Sequence, residues 1–283
     1  MNDLYRELAP MAEEAWKQIE DQAKQTLKLH LAARKLVDFV GPLGWQASAV
    51  SLGHSQALSN APVPGVEAAL RRTQPLVETK VPFELSRNEL ESIARGARDA
   101  DLQPVIDAAK SGALTEDKAI FHGYAAANIQ GICEANADKA LPLIDNYVEF
   151  PRLVAEAISR LRDAGVDGPY ALALGRQCFT GLTQTTTSGG YPVMQHVRRE
   201  IDGPMIWAPA VDGGVVLSVR GGDFELTVGR DFSLGYHDHD EARVWLYLQQ
   251  SFTFRPLLPE AAIPLSYAKA GSPLVAVRKT SRA

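Results

Sequence analysis

The sequence has few cysteines, no excess of basic residues and no long apolar run. Its two cysteines, Cys133 and Cys178, are too few for a disulfide framework or a structural zinc site, and they fit a reducing cytoplasm. Lys and Arg number 29 against 34 Asp and Glu, and this formal charge of −5 argues against nucleic acid as a partner. No stretch of about 18 apolar residues occurs, and the acidic N-terminal segment is not a secretory signal. We therefore expect no membrane insertion and a cytoplasmic location.

Common enzyme signatures are also absent. The sequence contains no glycine-rich phosphate loop, no dinucleotide fingerprint, no HExxH and no GxSxG. The 283 residues, 46% hydrophobic and 22% charged, are nevertheless typical of an ordinary globular protein, which excludes disorder and collagen-like structure. Because no acid, base and nucleophile can be assigned together, we expect a protein that is not an enzyme, with no catalytic residues and no metal site.

One cluster, YHDHD at residues 236–240, is the exception to this picture. In a strand, His237 and His239 share a face and would offer a metal ion two imidazoles, with Asp238 beside them. No other His or Cys stands at ligand spacing, and four polar residues between two β segments are typical of a solvated turn. A metal-dependent hydrolase that uses these three residues is thus the weaker alternative.

An amphipathic helix is predicted over residues 11–38. Its apolar stripe is formed by side chains three and four residues apart: Trp16, Ile19, Ala23, Leu27 and Leu31. A second partial stripe consists of Leu29, Ala33, Leu36 and Val37. Two stripes indicate either a helix buried on two sides or a helix that offers a groove to a partner.

Residues 46–83 predict a projecting hairpin arm. Two strand-like segments, SAVSLGH and PLVETKVPF, stand on either side of a polar middle, and this long excursion has little apolar content of its own. An arm that cannot bury its own apolar face must find another subunit, so the sequence predicts an oligomer.

Three further segments follow the arm. A long, interrupted helix is predicted from Ser86, whose hydroxyl would cap it with Glu89 three residues on. Residues 131–222 then read as a separate αβ unit with the apolar strand ALAL. The last third has β-rich runs punctuated by Gly221–Gly222, a pattern typical of antiparallel hairpins.

Several motifs in this order resemble one family. They are LYRELAP at 4–10, ARKLVDFVGPLGW at 33–45, GVDGPYALAL at 165–174, GYP at 190–192, RGGDFELTVGRDFSLGY at 220–236 and QSFTFRPL at 250–257. Together they resemble the encapsulin shell proteins, the bacterial nanocompartment family also known as linocin-like bacteriocin proteins. The resemblance covers residues 4–265, nearly the whole chain.

This resemblance implies an α+β fold like that of the tailed-phage major capsid proteins of the Hong Kong 97 type. Such a fold has a peripheral domain, an extended loop and an axial domain. The boundaries that we expect are the N-terminal helix and first peripheral part at 1–45, the extended loop at 46–83, the long-helix part at 84–130, the axial domain at 131–222, the β-rich peripheral part at 223–265 and a flexible tail at 266–283.

The resemblance also implies a partner besides the chain itself. Members of the family enclose a cargo enzyme whose C-terminal targeting peptide binds the inner wall. By resemblance, six residues would line that site: Leu27, Leu31, Arg34, Asp38, Leu234 and Tyr236. The leucines would accept apolar peptide side chains, while Arg34 and Asp38 would fix its register through charge-assisted hydrogen bonds. The expected cargo is a dye-decolorising peroxidase first and a ferritin-like iron oxidase second.

An icosahedral shell, expected to hold sixty subunits, would place one loop of each subunit around a fivefold pore. Small hydroxyls and glycines make up that loop: Thr185, Thr186, Thr187, Ser188, Gly189, Gly190 and Tyr191. Rings of hydroxyls and backbone dipoles around a channel admit small solutes.

Two departures from the family pattern remain. Some relatives stack a flavin on a Trp at the position of Asn88, and because an amide has no ring face we expect no flavin and no other cofactor. Residues beyond Leu265 exceed the usual family end and carry Arg278, Lys279 and Arg282, so a flexible tail is expected. A prophage capsid subunit that packages DNA would share the fold, but the acidic balance argues against it.

Overall fold

The computed structural model describes residues 3–143 and 146–267, so Arg278, Lys279 and Arg282 of the predicted tail lie outside the described residues. The helices are α1 (Glu13–His30), α2 (Arg87–Ala94), α3 (Gln103–His122), α4 (Ile132–Ala135), α5 (Phe150–Asp163), α6 (Arg176–Gln184) and α7 (Val193–Glu200). The strands are β1 (Asp38–Val40), β2 (Ala49–Leu58), β3 (Ala68–Pro75), β4 (Val77–Ser86), β5 (Leu141–Pro142), β6 (Tyr170–Leu174), β7 (Met205–Trp207), β8 (Gly214–Ser218), β9 (Phe224–Val228), β10 (Ser233–His239), β11 (Arg243–Pro256) and β12 (Ala262–Ser266). Among the described residues, no helix is both long enough and apolar enough to cross a membrane.

The long strand β11 is the centre of the first sheet. One of its edges pairs antiparallel with β4. Its other edge pairs first with β10 and then with β9, and β1 adds a parallel strand beside β9. Every residue of β11 from Leu246 to Phe254 is buried, because both faces of this strand are covered. The predicted antiparallel hairpin near the C-terminal end is thus present as β10 and β11.

The second sheet has the strand order β5, β12, β8, β6, β7. The predicted ALAL strand is confirmed as β6, which is buried over its whole length, as is β8. β12 lies between β5 and β8, so residues 262–266 belong with strands of the segment 131–222 and not with the rest of the β-rich part at 223–265. The sequence analysis assigned residues 131–222 and 223–265 to different domains, but the last strand, β12, pairs with strands of the first of these segments.

Gly221 and Gly222 connect the two sheets and do not form a hairpin turn. Both have positive φ, 88° and 83°, a backbone conformation that favours glycine. β8 before them pairs with β6 and β12, whereas β9 after them pairs with β1 and β11. The prediction of a hairpin at this point was wrong. A pair of glycines indicates that the chain turns, but it does not indicate which strands pair with those before and after the turn.

The predicted arm contains a two-stranded hairpin, but its strands differ from those expected. β2 pairs with β3, which lies within the segment that the sequence analysis took as a polar middle. The second expected strand, β4, pairs with β11 in the first sheet, since its alternating apolar side chains, among them Phe83 and Leu85, reach the core between this sheet and the helices. Only residues 49–75 therefore project, and none of the described residues in β2 or β3 is buried.

The first helix ends earlier than predicted, at His30 instead of residue 38. The chain continues as a 3-10 turn over Ala33–Lys35 and then as β1. Two residues of the expected second stripe, Ala33 and Leu36, are buried in the core around the second sheet, while Leu29 on α1 is 59% exposed. The spacing that resembled a second helical stripe therefore has another cause. Ala33 and Leu36 belong to the turn after α1, and they pack in a different core from the stripe of α1.

The interrupted helix after the arm is confirmed as α2 and α3, but the predicted cap is wrong. Ser86 is the last residue of β4, and its hydroxyl makes no cap hydrogen bond. The Glu89 carboxylate instead accepts a hydrogen bond from the amide of Asp101 at 3.0 Å, in the connection between the two helices. Pro104 stands in the first turn of α3, where its missing amide costs nothing.

Two apolar cores result, and α3 contributes to both. Val105 and Ala109 near its start pack among α1, α2 and the first sheet, together with Trp16. Ile120 and Phe121 near its end pack with α5 and the second sheet. α3 is therefore the helix that connects the two apolar cores of the subunit.

Candidate functional site

A groove of about 540 Å³ lies between α1 and β10. Its wall is formed by residues of the N-terminal segment, α1, the turn after α1, the connection before β10, and the strands β10 and β11: Leu4, Arg6, Glu20, Ala23, Lys24, Leu27, Lys28, Leu31, Arg34, Asp231, Phe232, Ser233, Leu234 and Leu248. Most of the exposed wall is apolar. A mainly apolar cleft of this size with a few polar groups is typical of a binding site.

Four of the six residues expected at the cargo site line this groove. Leu27 lies in the last turn of α1 and Leu31 directly follows the helix, with its amide bonded to the Leu27 carbonyl, so both line the groove. Leu31 and Leu234 are 8% and 5% exposed, whereas Leu27 is half-buried. Arg34 closes one end from the turn after α1. These residues are far apart in sequence, and the fold brings them together.

Asp38 and Tyr236 do not line the groove. Asp38 begins β1, and its carboxylate accepts a hydrogen bond from the amide of Gly222 at 2.5 Å. The Tyr236 ring is buried, and its hydroxyl lies 2.5 Å from Nδ1 of His239. The amide of Tyr236 donates to the carbonyl of Leu4 at 2.9 Å, so the N-terminal segment runs beside β10 at this tyrosine.

Arg34 is the most heavily bonded side chain of the groove. Its Nε and Nη2 each lie 2.7 Å from an oxygen of Glu116, and its Nη1 lies 2.8 Å from Oδ1 of Asp231. Burial opposes the charge on Arg34, but the hydrogen bonds and charges of Glu116 and Asp231 raise its pKa above the ordinary value. Protein partners thus occupy all three guanidinium nitrogens, and the rings of Phe39 and Phe232 each lie 5.2 Å from the guanidinium carbon, so the charged group of Arg34 is engaged within the subunit.

Two buried acids of α3, which the sequence analysis missed, hold this end of the groove in place. Glu116 pairs with Arg34, and the Asp117 carboxylate accepts hydrogen bonds from the amides of Ala32 at 2.9 Å and Ala33 at 3.1 Å. Both acids are fully buried, and burial raises the pKa of each, that of Asp117 to about 7. The one available signal was their position between the apolar residues of α3, where acids seldom stand without a partner.

A glycine in the interior of α3 makes room for the aromatic part of the groove. A Cβ atom at Gly112 would lie 2.9 Å from Cε1 of Phe232, closer than side-chain carbons normally approach. The Phe232 ring also lies 5.2 Å from the Arg34 guanidinium carbon, within range of a cation–π interaction. The absence of a side chain at Gly112 thus lets this ring lie against α3.

The expected pore residues form a tight turn between α6 and α7. The amide of Thr187 donates to the carbonyl of Tyr191 at 2.9 Å, and the amide of Gly190 donates back to the carbonyl of Thr187 at 2.8 Å. Gly190 has a φ of 77°, which favours glycine. Arg199 of α7 donates to the Tyr191 hydroxyl at 3.0 Å, so a cation stands beside the uncharged loop. Ser188 and Gly189 are exposed at its tip.

The YHDHD cluster has the geometry of a bulged strand end. The pairing of β10 with β11 shifts register between Tyr236 and Asp238, which interrupts the alternation that would place His237 and His239 on one face. Among the described residues, no group of three His, Cys, Asp or Glu side chains is arranged to hold a metal ion. Asn88, the position compared with the flavin-stacking Trp, is exposed in the first turn of α2.

Solved structures with the same arrangement of elements are capsid and capsid-like proteins. A virus-like particle protein from Pyrococcus furiosus superposes with a TM-score of 0.63 at 14% identity, over 89% of this chain and 99% of its own. A protein of Microbacterium phage Oxtober96 superposes with a TM-score of 0.58 at 12% identity, over 84% and 91%. The fold is therefore that of the Hong Kong 97 class of phage capsid proteins, as the resemblance implied.

Comparison of sequences narrows this class to one family. A family model described as encapsulating protein for peroxidase matches residues 1–253. A type 1 encapsulin shell protein of Rhodospirillum rubrum is 60% identical over 94% of this chain and 96% of its own length. A type 1 encapsulin shell protein of Mycobacterium tuberculosis is 47% identical over 94% of this chain and all of its own. The chain belongs to the encapsulin family of shell proteins.

Proposed function

We propose that this chain is the subunit of a closed icosahedral shell that encloses a cargo enzyme, which is held by a C-terminal targeting peptide in the groove between α1 and β10. The observation that supports this proposal is the apolar groove between α1 and β10. Half-buried Leu27 and Phe232, with the buried Leu234 beside them, line an apolar cleft that the subunit does not fill with its own described residues. An extended peptide with apolar side chains matches such a surface.

The expected binding of one peptide is modest. A cleft of about 540 Å³ accommodates a few side chains, and the bound segment loses conformational freedom. A cargo enzyme with several subunits presents several copies of its peptide to neighbouring grooves, and this avidity raises the overall affinity by a factor of about a hundred or more. Weak individual sites are therefore sufficient for stable loading.

The projecting hairpin supports self-assembly. Leu58 and Leu70 on β2 and β3 are 47% and 59% exposed, as are Val63 and Val66 in the connection between them at 59% and 56%. A two-stranded hairpin without a core of its own is stabilised when a neighbouring subunit buries its apolar side chains. We expect the hairpin to pair between subunits of a sixty-subunit particle.

For the cargo, we propose a dye-decolorising peroxidase first and a ferritin-like iron oxidase second. The description of the matching family model, which names a peroxidase, supports this order. The turn at Thr185–Tyr191 would surround the fivefold pore through which small substrates reach the enzyme. Both cysteines are free thiols, in keeping with a cytoplasmic compartment.

The decisive experiment is purification from the native host by size-exclusion chromatography, followed by negative-stain microscopy and mass spectrometry of co-eluting proteins. Uniform hollow particles of megadalton mass with a peroxidase inside are the expected result. Particles that contain DNA would favour the capsid alternative. A 30.7 kDa monomer or a small oligomer at every salt concentration and pH would refute the shell proposal.

A further inference from the structure

The groove carries an uncompensated positive charge at its rim. Four cationic and two anionic side chains line it, although the chain as a whole has a formal charge of −5. Arg6 forms an ion pair with Glu20 at 2.5 Å, and Arg34 is bonded to Asp231 and to a buried acid outside the lining. The two cations of the lining that have no acidic partner among the described residues are therefore Lys24 and Lys28.

These two lysines stand next to the apolar part of the groove. They lie one helical turn apart on α1, about 6 Å along its axis, and Leu27 lies between them in sequence. Both are exposed, and neither forms an ion pair with any residue in the described part of the chain. At this spacing one carboxylate can contact both ammonium groups.

We propose that the groove selects peptides that combine apolar side chains with an acidic residue, whose carboxylate lies between Lys24 and Lys28. This inference rests on the proposed function and states the chemistry of the peptide. The apolar residues enter the cleft formed by Leu27, Leu234 and Leu248, while the acid sits at its rim. The carboxylate of the peptide complements the two lysines, which have no ion-pair partner among the described residues, so it discriminates among apolar peptides more than it adds affinity.

Competition between sequences tests this selection. Random segments are fused to the C-terminus of a green fluorescent protein and co-expressed with the shell protein, and the segments retained in purified particles are sequenced. In wild-type particles, apolar segments with an Asp or Glu are expected to be enriched about threefold to tenfold over apolar segments without one, the range for a pair of exposed ion pairs.

A double variant, Lys24→Gln with Lys28→Gln, should retain apolar segments without this acidic preference. The matched control is Lys17→Gln with Lys118→Gln, which removes the same charge from two exposed lysines outside the groove and should keep the preference. Apolar enrichment without acidic preference in the wild type would overturn this inference and leave the proposed function intact. If particles retain no segment at all, the proposed function fails as well.

A second measurement needs only the wild-type chain. A recovered peptide with one Asp is labelled and compared with its Asp→Asn and Asp→Lys analogues during reassembly of particles, and the retained fraction is measured by fluorescence. Retention should fall about threefold for Asn and further for Lys, and the differences should shrink at high salt. Equal retention of all three peptides would contradict the proposal.

Discussion

Arg34 and Glu116 form a two-bond ion pair, with Nε and Nη2 of the arginine each 2.7 Å from one carboxylate oxygen. This pair joins the turn after α1 to the middle of α3, and the Arg34 side chain is 16% exposed while that of Glu116 is fully buried. The groove is thus anchored to α3, the helix that contributes to both cores, so substitutions in the buried part of α3 are expected to alter the groove.

Glu116→Gln should destabilise the subunit by about 2 kcal/mol, because the amide replaces one charged hydrogen bond to Arg34 with a weaker or mismatched one. Thermal unfolding of purified particles should show a midpoint lower by about 5 °C. Glu91→Gln is the control, since Glu91 pairs with Arg95 at 3.6 Å on the exposed surface of α2. Equal losses in the two variants would show that the buried pair is not important for stability.

Leu27→Asp should leave the shell intact and reduce cargo loading at least about tenfold, because a carboxylate in the apolar cleft opposes an apolar peptide. The ratio of cargo to shell protein in purified particles measures this effect. Leu29→Asp, on the same helix at a 59% exposed position outside the groove, should load normally. Normal loading of the Leu27 variant would remove Leu27 from the peptide site.

The buried acid Asp117 should make stability depend on pH. Burial raises its pKa to about 7, partly offset by hydrogen bonds from Ala32 and Ala33, while Glu116 raises it further and Arg34 lowers it. Between about pH 4, where an unfolded Asp titrates, and about pH 7 the folded chain holds a proton that the unfolded chain has lost. The free energy of unfolding contributed by this group therefore falls as the pH rises through this window and is level above it.

Asp117→Asn removes this titration, so urea midpoints measured from about pH 5 to about pH 8 should depend on pH less steeply than those of the wild type. Some slope will remain, because the pKa of Glu116 is raised in the same direction. Asp107→Asn, at an exposed position on the same helix, should leave the slope unchanged. Parallel curves for wild type and Asp117→Asn would disprove the assignment.

The double variant His237→Ala with His239→Ala should assemble and load as the wild type does. Both histidines are exposed, and the structural loss is one hydrogen bond between His239 and Tyr236, worth about 1 kcal/mol. Hydrolysis of a general protein substrate with added zinc is the matching assay. An activity that the wild type has and the variant lacks would revive the hydrolase hypothesis.

Local patterns in the sequence predicted the elements better than their partners. The apolar run of β6 and the repeat of α1 are set by residues that lie close together, so both were visible. The end of α1 depends on Asp117, 85 residues from Ala32 in sequence, and no local pattern reports such a contact. The pairing of β4 with β11 was missed for the same reason, since strand partners are chosen by the whole fold.

In the candidate site, too, local sequence patterns predicted some residues, while others depend on the folded chain. Leu27 and Leu31 follow from helical spacing, and Leu234 entered only through the family resemblance. Lys24 and Lys28 share the helical spacing of the leucines but were passed over, because exposed lysines on a helix are usually solvated. The role proposed for them depends on the absence of ion-pair partners in the described residues, which is a property of the folded chain.

The hairpin of β2 and β3 has one more consequence. None of the residues of this ribbon is buried within the subunit, so if it pairs between subunits as proposed, its ordering is a reaction between molecules and depends on their concentration. Dilute subunits should therefore hold this ribbon loosely, and the last part of the chain to reach its final shape will do so during construction of the particle. Under this proposal, folding and assembly are the same event for this segment.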